Sequence, residues 1–382
     1  MNSKRSWILV LVLGLALAGH LAAQTRLPRE VIKHPRPQDT LSARLEWALG
    51  EAGRAGSKDG FWVGYGIRRL MSENSYIGSV HSGWRDELTL AEVLSGKTAV
   101  RGAPKDESVG RTARRVLDEL EKPKKPEPKV WKDIAILLRY GPGRGPALEH
   151  VTMSDVTLEV DLKGLPLYWL GEAADAESLT ELKAIYAKTA ADKAKEHLVA
   201  AVGIHGSPSL TVPILKSVLE SGDADHIRKD AAFWLSQQDE ASVMGLLVRT
   251  AKSDRSAEVR KSAVFGLSQV ERPEAVDELI GLARNAPDER VRRDSIFWLG
   301  QVASKNAGAA LEEFVYSDRD VKVQEHAVFA LSELPDGQGV EPLIKVAKTH
   351  PDSRVRKKAI FWLGETHDPR ALDALIGIVK GK

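Results

Sequence analysis

The segment VRRDSIFWLG, Val291 to Gly300, belongs to a series that runs through the second half of the chain. IRKDAAFWLS (Ile227 to Ser236), VRKSAVFGLS (Val259 to Ser268), the segment itself, VQEHAVFALS (Val323 to Ser332) and VRKKAIFWLG (Val355 to Gly364) follow one another at intervals of 32 residues. Four columns stay in register over the five copies: Phe233, Phe265, Phe297, Phe329 and Phe361; Leu235, Leu267, Leu299, Leu331 and Leu363; Ile227, Val259, Val291, Val323 and Val355; and, outside the segment, Leu247, Leu279, Leu311, Leu343 and Leu375. Within one copy Val291, Ser295, Trp298 and Leu299 fall on one face of a helix. Ser256, Asp288, Asp320 and Asp352 stand just ahead of such helices and carry the side-chain oxygen that an N-cap needs. The stretch before each is helical too, with Leu279, Leu282 and Ala283, or Leu375, Ile378 and Val379, at helical spacing. Hairpins of this kind cannot bury their apolar faces singly, so they stack into a solenoid.

From Val355 to Lys380 the chain reads VRKKAIFWLGETHDPRALDALIGIVK. This closely resembles the HEAT-like repeats named after phycobilisome lyases, whose pattern is Val-Arg, a small residue, Leu-Gly, then Asp-Pro and Ala-Leu. The resemblance spans about residues 161–382 and is closest from 208, with degenerate copies upstream at LYWLGEA (Leu167 to Ala173) and KEHLVAAVG (Lys195 to Gly203). It implies a mainly α fold, an α-α superhelix of about six to seven repeats, and says almost nothing about activity.

The first 23 residues read differently. Lys4 and Arg5 precede an apolar run from Trp7 to Ala18, and His20 to Ala23 then lead into a polar stretch. That is the pattern of a secretory signal peptide, and the run of about 12 apolar residues is short of the roughly 20 that a spanning helix needs. The chain is therefore expected in the periplasm or outside the cell, with no stable membrane span after cleavage behind Ala23. There is no cysteine, which excludes disulfides, thiolate nucleophiles and Cys-ligated zinc. The formal charge is +2, and it falls to zero for residues 24–382 once Lys4 and Arg5 are set aside. Neutrality argues against nucleic acid as the partner.

Residues 24–160 lack the repeat and read as a small α+β region that caps the array. A helix is expected from about Thr40 to Gly53. Phe61, Val63, Tyr65 and Ile67 alternate as a strand does, as do Ile134, Ile136, Leu138 and Tyr140, with GPGRGP (Gly141 to Pro146) as a turn and Leu148 to Val156 as the returning strand. A helix near Glu107 to Glu121 and the solvated linker KPKKPEPK (Lys122 to Lys129) complete the region.

Two features of the repeats bear on function. The residue after the ladder Phe alternates in size, Trp169, Ala201, Trp234, Gly266, Trp298, Ala330, Trp362, so the repeating unit is a pair of hairpins. Each indole is expected to pack over the small residue of the neighbouring layer. The Phe column lies about 200° from the centre of the buried face at 100° per residue and is expected at the surface. In the family this position is commonly polar and faces the concave groove. Phe233, Phe265, Phe297, Phe329 and Phe361 are thus read as a partner-binding row, the alternative being that the rings stack on one another. Lys229, Lys261, Arg290, Arg293, Lys322, Arg354, Lys357 and Lys358 share that face, as does His326, and point to an acidic, partly apolar protein or peptide. Arg228, Arg260, Arg292 and Arg356 fall nearer the core and read as structural. First helices carry the opposite sign at Glu274, Asp277, Glu278, Glu312 and Glu313.

No catalytic, metal or cofactor residue is expected, and the chain is read as an adaptor rather than an enzyme. The HEAT-like deoxyhypusine hydroxylases hold iron through His-Glu pairs, whereas this chain has Glu196-His197 and Glu325-His326 in reversed order and far apart. His81 with Asp86, and His197 with His205, find no third partner, and HExxH, GxSxG, GxxxxGK and GxGxxG motifs are missing. Phycobilin lyase and DNA glycosylase readings conflict with export. Binding of an anionic envelope polymer is the alternative. N-terminal sequencing of the protein purified from its native host is expected to begin at Gln24; an intact Met1 on soluble cytoplasmic protein would overturn the reading of the leader.

Overall fold

The computed structural model describes residues 26–73, 75–78, 88–97, 128–143, 145–270, 272–302 and 304–380. The leader, the expected helix near 107–121, nearly all of the linker and the His81/Asp86 pair lie outside the described residues. The chain forms two compact units, residues 1–214 and 215–382.

The first unit is built on a five-stranded mixed sheet in the order β1-β5-β2-β3-β4, with β1 Val31–Lys33, β2 Phe61–Ser72, β3 Lys129–Tyr140, β4 Leu148–Asp155 and β5 Leu167–Glu172. β2 and β3 pair antiparallel from Phe61 opposite Tyr140 to Ser72 opposite Lys129. β4 adds antiparallel to β3, as the alternation predicts, and β5 runs parallel to β2 and β1. Phe61, Tyr65 and Tyr168 lie on the face covered by helices α1 (Leu41–Ala55) and α3 (Asp175–Lys188), where Phe61 and Trp47 both meet Tyr168 edge-on. Trp62, Leu137, Leu167 and Trp169 fill the other face with Leu90 of the short helix α2 (Leu90–Leu94), and Trp62 Nε1 donates to the Leu162 carbonyl at 3.0 Å. Gly64 is demanded by this second face, since a Cβ there would lie 3.1 Å from the Trp169 ring and 2.7 Å from Leu137.

The strand at Leu167–Glu172 corrects the expectation of a degenerate helical repeat at LYWLGEA. Leu167 to Leu170 are all buried, two on each face of the sheet, and a short apolar run of that kind has no periodicity that separates a central parallel strand from a helix. Trp169 therefore leaves the Trp/small series, and the run of helices that no strand interrupts opens with α3. The strand's end is fixed by Arg44, whose buried guanidinium donates to the carbonyls of Leu170 (2.5 Å) and Glu172 (2.9 Å) around Gly171, at φ +81°. A charge so buried is tolerated because strong carbonyl acceptors replace its water.

KEHLVAAVG is helical as expected, inside α4 (Asp192–Gly203). His197 and His205 of this stretch do not pair with each other. His205 Nδ1 donates to the Ala201 carbonyl at 2.8 Å, which leaves Nε2 of the neutral ring to accept from Ser178, which in turn accepts from Tyr65. This serine–histidine contact is sealed in the core, where burial lowers the His205 pKa and raises that of Tyr65. His197 instead meets His150 of β4, ring centroids 4.4 Å apart, and accepts weakly from Val151 N–H on the outer edge of the sheet.

The second unit is a run of antiparallel helix pairs. After α5 (Pro208–Leu219), which spans the boundary, come α6 (Asp225–Ser236), α7 (Ser242–Ser253), α8 (Ala257–Gln269), α9 (Pro273–Asn285), α10 (Glu289–Gly300), α11 (Lys305–Ser317), α12 (Val321–Ser332), α13 (Val340–Thr349), α14 (Ser353–Glu365) and α15 (Pro369–Val379). Even-numbered α6 to α14 are the second helices and carry the repeated segment. Ser256, Asp288, Asp320 and Asp352 are the N-caps of α8, α10, α12 and α14, and the three aspartates accept the backbone N–H two residues on. The Ile/Val column and both Leu columns are buried throughout, apart from Leu375 on the last helix, which is half-buried. Second helices of successive repeats contact one another more extensively than first helices do, so they form the inner layer of this unit.

His150 provides a test of the first unit. Burial, with His197, Lys163 and Arg139 nearby, lowers its pKa to about 4, while the unfolded chain titrates near 6.5. Between these values the unfolded state binds the additional proton, so the stability that the neutral ring allows is present above about pH 6.5 and is lost as pH falls toward 4. The drop in melting temperature from pH 7 to pH 4.5 is expected to be smaller in His150→Asn than in the parent; equal drops would assign the pH dependence to other groups.

Candidate partner-binding face

The ladder Phe residues stand on the outward face of the inner-layer helices, and their rings are stacked along it. Phe233 lies parallel to Phe265 (centroids 6.2 Å, planes 5° apart) and Phe297 to Phe329 (6.3 Å, 18°). Phe265 in turn meets Trp298 at 4.9 Å, and Phe329 meets Trp362 at 5.0 Å. Within α6, α10 and α14 each Phe also meets the following Trp edge-on, at 5.0–5.3 Å. The contacts join into one series, Trp234, Phe233, Phe265, Trp298, Phe297, Phe329, Trp362, Phe361. Such pairs contribute about 0.5–1.5 kcal/mol each beyond area burial.

The expectation that each indole lies over a small residue on the buried face is therefore corrected. Trp234, Trp298 and Trp362 are half-buried, and the rings against Trp298 and Trp362 are those of the preceding Phe. The small residues serve the helix backbones. A Cβ on Gly266 would lie 3.1 Å from Ser236 Cβ and 3.5 Å from the Ala232 carbonyl, and one on Gly300 would lie 2.5 Å from the Ala330 carbonyl. Where the next repeat carries Gly266 or Ala330, its helix comes in close and Phe meets Phe. Where it carries Trp298 or Trp362, the indole fills the junction and Phe meets Trp. The Phe row is likewise not the bare surface that the helical wheel gives: Phe233, Phe265, Phe297 and Phe329 are half-buried by their neighbours, and Phe361 alone of the five is exposed.

With the 32-residue hairpins and their junctions in place, the HEAT repeats family matches residues 244–321 and 309–382. These repeats are HEAT repeats. No curated protein is similar enough to the chain to count as a relative. Among solved structures, human deoxyhypusine hydroxylase is 18% identical, over 52% of this chain and 81% of that one, with a TM-score of 0.24. The CpcE–CpcF complex of phycocyanin lyase from Nostoc sp. is 18% identical over 41% and 98%, TM-score 0.32, and a condensin subcomplex from S. pombe 20% over 54% and 31%, TM-score 0.32. None of these likenesses bears on what this chain binds or catalyses.

The cations of the HEAT repeats divide into two sets within two residues of each other. Arg260, Arg292 and Arg356 reach back six residues to the carbonyls of Asp254, Ala286 and His350, at 2.6–3.0 Å. Gln324 does the same to Asp318. Each of these carbonyls closes a first helix, so the ladder residue satisfies an otherwise orphaned helix end. Arg228 and Arg260 also bind Asp254 and Asp288 of the following repeat. The structural reading of these arginines holds.

The second set is the one read as partner-binding. Lys261, Arg290, Lys322, Arg354 and Lys357 are exposed, and Lys229, Arg293 and Lys358 half-buried. Arg293 pairs with Glu289 (3.7 Å) and Arg354 with Asp352 (2.7 Å), and Lys358 lies 5.8 Å over the Phe361 ring. Lys229, Lys261, Arg290, Lys322 and Lys357 make no ion pair among the described residues. The acidic first helices, by contrast, use part of their charge internally, as in Arg284–Glu313 and Lys345–Glu312. One carboxylate escaped the sequence reading: Asp294, half-buried between Lys261 and Arg293, has its pKa raised by burial against the pull of those two cations. His326 of the same face is pushed down by burial and by Arg293.

Elsewhere, a cavity of about 410 Å³ in the first unit is lined by Trp62, Arg139, Glu149, His150, Asp161 and Lys163. Among the described residues no group of three or more His, Asp or Glu side chains could hold a metal, and no helix is long and apolar enough to cross a membrane.

The junction geometry sets a clear expectation. Trp298→Ala removes a half-buried indole from between Phe265 and Phe297 and is expected to destabilise by about 1.5–3 kcal/mol, less than a fully buried Trp would cost. Gly266→Trp is expected to destabilise by overpacking α8 against α6. Denaturant unfolding measures both, and unchanged midpoints would remove the alternation as a packing device.

Proposed function

We propose that the protein is an exported, non-catalytic scaffold that holds a protein or peptide segment along the inner layer of its HEAT repeats. The observation that supports this most is the pairing of two surfaces on one face: a continuous row of half-exposed aromatic rings, and beside it the cations Lys229, Lys261, Arg290, Lys322 and Lys357, which make no ion pair among the described residues. An acidic segment with apolar side chains fits both. Its carboxylates would meet the lysines, and its apolar groups would cover the ring edges that stacking leaves in water. Because the rings already support one another, the row is a preformed platform that loses little entropy on binding.

The unpaired cations also support a second reading, an anionic envelope polymer. Salt separates the two, because polymer binding that rests on charge alone weakens steeply as ions screen it, whereas burial of ring edges persists. The test is retention of envelope components on the immobilised protein and on the variant Lys261→Glu, Lys322→Glu, Lys357→Glu, at low and at high salt. A protein retained by the parent at both and lost from the variant is the expected result. Equal retention by parent and variant would place the binding site elsewhere, and retention of polymer at low salt only would favour the second reading.

A further inference from the structure

Lys163 stands in a backbone conformation that suits other residues better. Among the described residues it and Asp336 are the only ones besides glycines at positive φ, with Lys163 at +57° and Gly164 after it at +67°. The two form the centre of a tight turn closed by Leu165 N–H on the Leu162 carbonyl at 3.0 Å. Asparagine, aspartate or glycine fits such a turn, and a lysine is strained in it. The turn is held from several sides. Trp62 Nε1 also donates to the Leu162 carbonyl, Leu162 N–H donates to the Arg26 carbonyl at 3.0 Å, and Asp161 Oδ1 accepts from the backbone N–H groups of Arg26 (3.0 Å) and Lys163 (2.8 Å). Strain that the surroundings hold in place points to a use for the side chain itself.

That side chain lines the cavity of about 410 Å³. One wall is the sheet, where Trp62, Arg139 and His150 are register partners on β2, β3 and β4 and stand abreast on one face. The other wall is the connection from β4 to β5, which brings Val160, Asp161 and Lys163. The volume is that of a small-molecule site. The carboxylates of the lining are already matched. Glu149, left without a ladder partner by the bulge beside Arg139, meets Arg139 at 3.3 Å; Asp161 holds the two backbone N–H groups; Glu159 is engaged as well. Two groups are not matched. Among the described residues the Lys163 ammonium makes no hydrogen bond or ion pair, and the ring nitrogens of half-buried His150 make no hydrogen bond. Burial lowers the His150 pKa to about 4, together with the charges that face the ring: His197 and Lys193 of α4, Lys163 of the connection and Arg139 of β3. The ring is therefore neutral at pH 7, in a field that favours an anion.

We propose that this cavity binds a small organic anion, its carboxylate or phosphate head between Lys163 and His150 and its apolar body against Trp62 and Val160. Lys163 supplies the charge, His150 donates an N–H, and the turn fixes the point from which the lysine reaches. The site is independent of the HEAT repeats and of the function proposed for them.

The probes are butyrate and butyl phosphate, with butyramide as the neutral analogue, titrated into the full chain at constant ionic strength while the His150 ring is followed by NMR. Its resonance is the one lost in His150→Asn. An anion beside the ring favours the imidazolium, so the His150 pKa is expected to rise saturably with one or both anions and to stay unmoved by butyramide. The anion that acts at the lower concentration distinguishes a carboxylate from a phosphate head. Lys163→Asn, which accepts positive φ, is expected to melt at or above the parent temperature and to weaken binding about tenfold or more. A lysine of structural importance alone predicts unchanged binding in that variant. No saturable shift with either anion up to about 50 mM, where a millimolar site is filled, a shift as large with butyramide, or undiminished binding in Lys163→Asn would each overturn the proposal.

Discussion

A phenylalanine on the outward face of the inner helices has no core to enter, so only a ring from the adjacent repeat can take it out of water. That contact forms only if neighbouring helices present the residue at the same height and angle, which fixes both the 32-residue spacing and the near-equal lengths of α6 to α14. It also makes the small residues obligatory. Were Gly266 or Ala330 larger, α8 and α12 would stand off from α6 and α10, and the parallel Phe pairs would separate. The aromatic series and the close backbone approach at Gly300 are two results of one requirement.

How much of this was legible in the sequence follows from what periodicity can report. The Val and Leu columns are intrahelical facts, set by 3.6 residues per turn, and they gave the helices, caps and core without reference to any neighbour. The strands β2, β3 and β4 were legible because Phe61 to Ile67 and Ile134 to Tyr140 alternate. LYWL was not, because a central parallel strand is buried on both faces and loses the alternation that would mark it. The Phe row lies between these cases. A helical wheel places Phe297 outward, correctly, but holds no information about Phe329 on another helix, and so it cannot show that the ring is half covered.

The cations show the same division. Arg292 and Arg293 are adjacent, yet 100° of helical rotation sends one to a helix-end carbonyl and leaves the other among the charges of the inner face. Separating the two sets by angle succeeded because each choice depends on one helix. Asp294, which tempers the basic face, was passed over because its burial arises from Lys261 and Arg293 together, across two repeats. Residues whose environment is built by more than one repeat are the ones that a single-helix reading misses, and they are concentrated on the face proposed to bind.

The two kinds of junction also limit how an array like this can change its length over evolutionary time. Junctions carrying Gly266 or Ala330 alternate with junctions carrying Trp298 or Trp362, so excising one hairpin would set an indole where the preceding helix offers an indole instead of a small side chain. Gain or loss of two hairpins keeps every ring opposite its proper neighbour. Descendants of this protein should therefore differ by even numbers of hairpins, and an odd difference should come with a compensating exchange of a large for a small residue at the new junction.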